Sequence, residues 1–212
     1  RQFLFSHPGI QSQPSMTLPT EVHPHPRAIA NQFDVSIASD VPVGIHELRV
    51  VGRFGVSNPR SFVVGDLSEV VEALGNESAS GAMAVSPEMT ISGRAQGVQP
   101  DYFRVDLKLG QRLMMNLWAQ RLGSRMDGTL SVCSEDGRTI VTSRDQFQLD
   151  PFLDFTAPSD GSYLISVFDF VYDSGNERFY RLSISSAPFV EYVFPPAVEP
   201  GVSRKVVLLG RN

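Results

Sequence analysis

The residues of this chain that could do chemistry are mainly carboxylates. Calcium takes six to eight oxygen ligands from carboxylates, Asn side chains and backbone carbonyls on loops, so such residues suit it well. Paired acids can also hydrolyse glycosides, but only at a defined separation in a cleft, which the sequence does not supply. Most of the acids are expected to be turn residues or solvated strand faces. The acids considered are Glu69, Glu72, Glu77, Asp101, Asp106, Asp127, Asp145, Asp150, Asp154, Asp160, Asp169 and Asp173.

Motifs for nucleophilic catalysis are missing from the sequence. It contains no G-x-S-x-G elbow, no S-x-x-K and no Gly-rich phosphate loop followed by Lys. Cys133 and His46 would have to meet across two predicted domains, and a strand Cys is usually a small hydrophobe. His23 and His25 supply two imidazoles where a structural zinc site usually has four ligands, so a polar loop is the simpler interpretation. We therefore expect no catalytic residue and no enzyme.

Composition limits the class of protein. Hydrophobic residues make up 42% and charged residues 19%, so the chain can bury a core and is not a disordered tail. A net charge of -5 argues against a nucleic-acid or anionic-membrane surface. Cys133 stands alone, which excludes an internal disulfide framework, and no apolar run is long enough to span a membrane. The first residue is Arg1 and not Met, which favours a piece of a longer protein.

Alternating strands must position any site in the second half of the chain. The segments DYFRVDL, GQRLMMNLWAQ, DPFLDFTAPSDGSYLISV and ERFYRLSI alternate apolar and polar residues and end in turn residues. This pattern predicts an all-β, antiparallel sandwich. One face of each strand should point inward, and Tyr163 should use its hydroxyl to close a corner. The inward residues are predicted to be Phe103, Val105, Leu107, Leu113, Met115, Leu117, Ala119, Leu153, Phe155, Tyr163, Ile165, Val167, Tyr180, Leu182 and Ile184.

These motifs resemble the bacterial pre-peptidase C-terminal (PPC) domain, as found in large multidomain proteins of planctomycete-type bacteria. The resemblance covers roughly half the chain and implies a jelly-roll-like sandwich that is non-catalytic and extracellular. We place this module at 90–187. The segment 67–89, rich in small and acidic residues, is interpreted as a linker in which SEVVEAL could form a helical turn.

The two ends of the chain resemble parts of a TIG/IPT immunoglobulin-like domain. Residues 1–66 contain a Pro-rich loop from Pro8 to Pro26 and then three strands, NQFDVSI, GIHELRVVG and SFVVGD, like the back half of such a domain. Residues 188–212 resemble its opening strands. We expect the strand near Lys205 to Leu209 to pair with the amino-terminal segment, within the chain or in a neighbouring copy, because an unpaired edge invites aggregation.

The PPC resemblance also implies a set of calcium ligands. PPC modules of clostridial collagenases bind calcium through an acidic linker and through aspartates in the loop before a D-Y-F strand. The matching positions here are Glu72, Asn76 and Glu77 in the linker and Asp101 before Tyr102. This sequence lacks the E-P-N-D core of that linker and has Gln99 where a second acid is expected. The alternative is a polar linker without metal.

Aromatic residues offer a second kind of site. Phe168, Phe170, Tyr172 and Phe179 cluster in FDFVYDSGNERFY, and Trp118 lies on the face of its strand opposite Leu117. Exposed rings beside Asp and Asn are how sandwich modules hold sugars or extended peptides. We single out Trp118, Phe170 and Tyr172 as ligand-binding candidates. The alternative is that most of these rings belong to the core.

Together these features predict a non-catalytic module of a larger protein of the cell envelope, periplasm or extracellular space. It would act as a spacer, an adhesion unit or a substrate-targeting unit. The expected partners are the other domains of the parent chain, with a polysaccharide or a protein as external ligand. The alternative is a carbohydrate- or protein-binding module with a defined groove, stabilised by calcium, and a hydrolase fragment is a third, weaker possibility.

Overall fold

A computed structural model describes residues 2–147 and 149–211 of the chain. Within these ranges the regular structure is almost entirely β, with short 3-10 helices at Ala79–Gly81 and Gln120–Leu122. The prediction of an all-β, antiparallel sandwich is confirmed. The chain divides into two compact units, one ending at Asp66 and the other starting at Leu67. No helix among the described residues is long and apolar enough to cross a membrane.

The first unit has a small core. In one sheet β4 pairs with β1, β5 and β6, while β2 and β3 form a separate hairpin. The buried cluster contains only Ile10, Val41 and Val64, with Phe5 and Phe62 packed against it. Its strands are β1 (Gln2–Phe5), β2 (Ile10–Met16), β3 (Ala28–Ile37), β4 (Gly44–Gly52), β5 (Gly55–Val56) and β6 (Arg60–Val64).

The loop predicted for Pro8 to Pro26 is in part a strand. Its first half forms β2, which pairs antiparallel with β3, and Pro14 lies opposite Phe33. Proline removes one ladder donor, which an edge strand tolerates, and the register shifts just after Pro14. The Pro-rich composition was therefore a poor guide to this half of the segment, whereas residues 17–27 are outside the strands as predicted.

The second unit is a sandwich of two five-stranded sheets. One sheet has the order β13-β12-β15-β10-β8 and the other β14-β11-β16-β9-β7, followed by a β17-β18 hairpin. The strands are β7 (Ser68–Val71), β8 (Met83–Ala84), β9 (Met89–Arg94), β10 (Asp101–Leu107), β11 (Arg112–Trp118), β12 (Gly128–Ser134), β13 (Thr139–Ser143), β14 (Phe152–Thr156), β15 (Gly161–Asp169), β16 (Phe179–Ser185), β17 (Phe189–Phe194) and β18 (Val207–Arg211).

The strand faces follow the alternation in the sequence. All residues predicted to point inward are buried in one continuous cluster, which also contains Ile91, Met126, Leu130, Val132 and Ala157. The hydroxyl of Tyr163 donates to the carbonyl of Ser159 at 2.9 Å, which closes the corner before β15 as predicted. Burial of these apolar faces, at roughly 25 cal/mol per Å², is the main source of stability of this unit.

The segment 67–89, predicted as a linker, is part of the sandwich. Its first residues form β7 and not a helical turn, and β7 pairs parallel with β9. Val70 packs against the core, so β-branched residues with one buried face outweigh the local helical tendency of SEVVEAL. Met83 and Ala84 form β8, which pairs parallel with β10. Each end of this segment therefore extends one sheet.

The carboxy-terminal hairpin has its own pairing. β18 pairs antiparallel with β17, with a register shift between Val190 and Tyr192. Gly210 is needed there, because a Cβ at that position would overlap the carbonyl of Phe189. The strand around Lys205 to Leu209 thus has a partner within 188–212. That this segment opens a further TIG-like unit or completes the amino-terminal one stays a prediction.

Candidate functional site

The second unit contains a cluster of two carboxylates around one phenol. The hydroxyl of Tyr180 lies 2.8 Å from Oε2 of Glu72 and 2.9 Å from Oδ2 of Asp101. Tyr180 is 1% exposed and Asp101 4% exposed, whereas Glu72 is half-buried. A phenol carries a single proton and can donate it to only one carboxylate at a time. When both acids are ionised, the cluster therefore holds two negative charges but only one phenolic proton, so one carboxylate receives no hydrogen bond from Tyr180.

Three strands and one glycine build this cluster. Asp101 begins β10, Tyr180 lies in β16, and Glu72 follows the end of β7. Tyr180 is paired with Gly93 of β9. A Cβ at Gly93 would overlap the Tyr180 ring and lie 2.6 Å from Oε2 of Glu72, so glycine makes room for both groups. The Arg94 amide donates to Oε1 of Glu72 at 2.7 Å and fixes the second oxygen of that carboxylate.

The electrostatics follow from burial and from the two like charges. Burial raises the pKa of Asp101 to about 7, and the negative charges of Glu72 and Glu77 act in the same direction, while the Tyr180 hydrogen bond opposes them. Burial and the negative charges of Asp101 and Glu72 raise the pKa of Tyr180 well above its usual value. Asp101 would thus take up a proton near neutral pH.

All four predicted calcium ligands lie in this region. Asn76 is buried, its backbone carbonyl accepts from the amide of Tyr102 at 2.8 Å, and its Nδ2 atom has no hydrogen-bond partner among the described residues. Glu77 follows Asn76 and is close enough for its charge to act on Asp101. Among the described residues no group of three or more His, Cys, Asp or Glu side chains has the arrangement of a metal site. Binding of calcium by these four residues therefore stays a prediction.

The residues nevertheless suit a hard cation. They offer carboxylate and amide oxygens, which calcium prefers, and they include a buried acid without a cationic partner. Exchanging the oxygen and nitrogen of the Asn76 amide, which are nearly indistinguishable, would place an acceptor where an unpaired donor now lies. Tyr180 is absent from the predicted set. The signal that could have indicated it is a Tyr at a core position, since a buried hydroxyl normally has a partner.

The predicted ligand-binding aromatics come from strands of two different sheets. Trp118 lies in β11 and its ring is covered by the Arg121 guanidinium, 4.8 Å from the ring centroid. Phe170 and Tyr172 follow β15, in the other sheet, and both are about half exposed. The Arg144 guanidinium lies 3.3 Å from the centroid of Phe170. The Tyr172 ring stacks on Phe168 at 5.7 Å between centroids. The role of these rings in binding remains a prediction.

Comparisons with known proteins give structural neighbours only. No protein-family model matches this sequence, and no curated protein matches it. Among solved structures, a pre-peptidase C-terminal domain of collagenase from Bacillus anthracis has 18% identity and a TM-score of 0.40, and the match covers 49% of this chain and 94% of that one. The periplasmic g-type lysozyme inhibitor PliG from Aeromonas hydrophila has 18% identity and a TM-score of 0.31, covering 56% of this chain and 96% of the other.

A PPC domain, the class that the strand motifs resemble, is thus among the solved structures similar to this chain. Both TM-scores lie below 0.5, so neither neighbour assigns an activity or a ligand. The class of protein that the fold defines is an all-β sandwich module, with the acid cluster of Glu72, Asp101 and Tyr180 as its candidate site.

Proposed function

We propose that this chain is a non-catalytic sandwich module of a larger exported protein, where it acts as a spacer stabilised by calcium. The observation that carries the proposal is the Tyr180 hydroxyl between the carboxylates of Glu72 and Asp101. Glu72 follows the end of β7 and Asp101 begins β10, so a cation there would tie the segment 67–89 to both sheets. The PPC resemblance supports a location outside the cytoplasm.

The chemistry assigned to calcium is structural. Glu72 and Asp101 would supply carboxylate oxygens, Asn76 its amide oxygen and Glu77 a further carboxylate. A bound cation would neutralise two acids that now share one phenolic proton. Because Glu72 and Glu77 are only half-buried, the cluster is accessible from solvent.

Thermal unfolding tests this proposal. Calcium that binds only the folded protein at about 100 times its Kd adds roughly 2.7 kcal/mol of stability, or about 5 to 11 °C in Tm for a domain of this size. We expect that rise in millimolar calcium relative to a chelator, and we expect it to vanish in the Glu72→Gln, Asp101→Asn double variant. Glu69→Gln is the matched control, since Glu69 lies on β7 but pairs with Arg181. An unchanged Tm in millimolar calcium would refute the proposal.

A second candidate function is ligand binding by the loop after β15. Phe170, Val171 and Tyr172 are consecutive exposed apolar residues, and Tyr172 has a φ of 55°, which is unusual for an aromatic residue. A polysaccharide or a protein would contact these rings. The test is retention of the chain on immobilised polysaccharides or on envelope proteins. Loss of retention in the Tyr172→Ala variant would favour this function, and equal retention of the variant and the unmodified chain would exclude it.

A further inference from the structure

An open groove lies beside the hairpin strand β17, and none of the residues that line it belongs to the acid cluster of Glu72, Asp101 and Tyr180. Its volume is about 370 Å³, at the lower end of the range for ligand clefts. Residues 189–192 of β17 form one wall, and Arg121, Gln146 and Phe147 form the other. Because four consecutive strand residues line the groove, an occupant would run along main chain and not only along side chains.

The edge of β17 that does not face β18 has no strand partner within residues 2–147 and 149–211. Among the described residues β17 pairs with β18 alone, and no further backbone hydrogen bond to β17 is found. A strand edge of this kind presents alternating N–H and C=O groups, which are a template for an added strand. Recognition of extended peptides by strand addition uses such edges, with side-chain pockets beside them for specificity.

Aromatic packing holds this edge in place. The Phe189 ring lies 4.5 Å from the ring of Phe152 in β14 and 5.5 Å from that of Phe147. These three rings fasten the start of β17 to the sandwich. Tyr192, by contrast, is 62% exposed and leaves a ring available for an incoming side chain. The groove therefore combines a fixed strand with a free aromatic contact.

Two ion pairs lie beside the groove, and in each the guanidinium is more exposed than the carboxylate. Arg121 is 21% exposed and its partner Asp150 is fully buried. Arg211 is 42% exposed, whereas its partner Glu191, which lines the groove, is 14% exposed. Arg121 and Glu191 line the groove, and Arg211 lies beside it, 3.7 Å from Asp154 as well. Arg121 uses Nε and Nη2 for its contacts within the protein. An acidic ligand complements this surface.

We propose that the open edge of β17 binds an extended acidic peptide as an added strand. The main chain of the peptide would pair with β17, and its carboxylates would lie near Arg121 and Arg211. This inference goes beyond the proposed function, because it identifies a partner surface that does not depend on calcium. The competing occupants are a second copy of this chain and a ligand held by charge alone.

Fluorescence anisotropy with designed peptides tests the proposal. The probe is a labelled eight-residue peptide in which Val and Asp alternate, added to the full chain in chelator. The comparison peptides replace Asp by Lys, or carry N-methyl groups on alternate amides, which blocks strand pairing. Gln146→Glu places a negative charge in the groove, and Gln32→Glu makes the same change at an exposed site in the other unit. Tyr192→Ala removes the exposed ring.

We expect the Val/Asp peptide to bind, and Gln146→Glu to weaken its binding about fivefold. Gln32→Glu should bind like the unmodified chain, and the Lys and N-methyl peptides should bind at least tenfold more weakly. Equal binding of the N-methylated peptide would overturn strand addition, and no saturable binding at millimolar peptide would overturn the proposal as a whole. Dimerisation of the chain that Tyr192→Ala abolishes would assign the edge to a second copy and would also overturn it.

Discussion

Three buried aspartates of the second unit differ in what neutralises them. Asp150 receives the Arg121 guanidinium at 2.8 Å, and Asp169 receives that of Arg178 at 2.7 Å. Asp101 has no such partner in the described part of the chain and instead shares the Tyr180 hydroxyl with a second acid, Glu72. Burying a carboxylate without a countercharge is costly, so proteins normally pair it. Asp150 and Asp169 thus each have an arginine partner, whereas Asp101 has none among the described residues.

That omission is what makes the acid cluster a candidate for cation binding. Sites that break a general rule of folding are often functional, because the fold tolerates their cost only where a ligand removes it. The ion pairs of Asp150 and Asp169 are complete without any ligand. The predictions below therefore ask whether the Asp101 cluster behaves differently from these pairs.

The largest effect is expected for Asp150→Asn. Asp150 also accepts from the amides of Gln120 and Arg121, so the change breaks a buried pair and weakens a turn. Unfolding free energy should fall by about 3 to 5 kcal/mol in urea denaturation. The same substitution at Asp101 removes a buried charge that no countercharge compensates, so at pH 7 in chelator the variant should be at least as stable as the unmodified chain. Similar costs at the two positions would contradict the comparison.

The next effect concerns pH. Because folding raises the pKa of Asp101 to about 7, the folded state holds this proton more tightly than the unfolded chain, whose Asp titrates near its ordinary value. The stabilisation is complete below about pH 4 and is lost as pH rises through about 7. In chelator, the unfolding free energy of the unmodified chain should therefore fall by an amount on the order of 3 kcal/mol between about pH 4 and pH 7. Asp101→Asn should remove this fall. Parallel stability curves for the two proteins between pH 4.5 and 8 would contradict the raised pKa.

The third effect is steric. Gly93→Ala places a methyl group against Tyr180 and Glu72, and overpacking of this kind typically costs about 1 to 3 kcal/mol. The variant should lower Tm and also reduce the calcium response, because it displaces both groups. Gly97→Ala is the control, since its Cβ would meet only the Gln99 amide at 4.0 Å. An unchanged Tm and an unchanged calcium response in Gly93→Ala would show that the acid cluster does not require a glycine at this position.

The smallest effect is that of a single hydroxyl. Tyr180→Phe and Tyr163→Phe should each cost about 1 kcal/mol, because each removes one buried hydrogen-bond donor. Only Tyr180→Phe should change the Tm shift caused by calcium, since Tyr163 closes a corner at Ser159, away from the acids. The same calcium shift in both variants would show that Tyr180 does not position the carboxylates.

The sandwich core could be predicted because its signal is local. Phe103, Val105 and Leu107 alternate within seven residues, and a period of two is enough to assign one face to the core. The strand β7 was missed because SEVVEAL also suits a helical turn, and only its parallel pairing with β9 decides between them. Parallel edge strands carry no turn signal that links them to their partner.

The site could be predicted only in part, because its contacts join residues far apart in the sequence. Resemblance indicated Glu72, Asn76, Glu77 and Asp101, but the phenol between the acids is separated from them by 108 and 79 residues. Such a contact depends on the order of strands in the sheet, which alternation does not contain. The groove beside β17 was likewise unpredicted, because its walls come from segments about 45 residues apart that meet only in the folded chain.

The most direct test of the central claim is a calorimetric titration of the chelator-stripped protein with calcium at pH 7. If the acid cluster of Glu72, Asp101 and Tyr180 is the place where the fold lacks a positive charge, one calcium ion should bind per chain. This binding should persist in Glu69→Gln and disappear in the Glu72→Gln, Asp101→Asn double variant. No heat of binding at millimolar calcium, or the same binding in the double variant, would contradict the account.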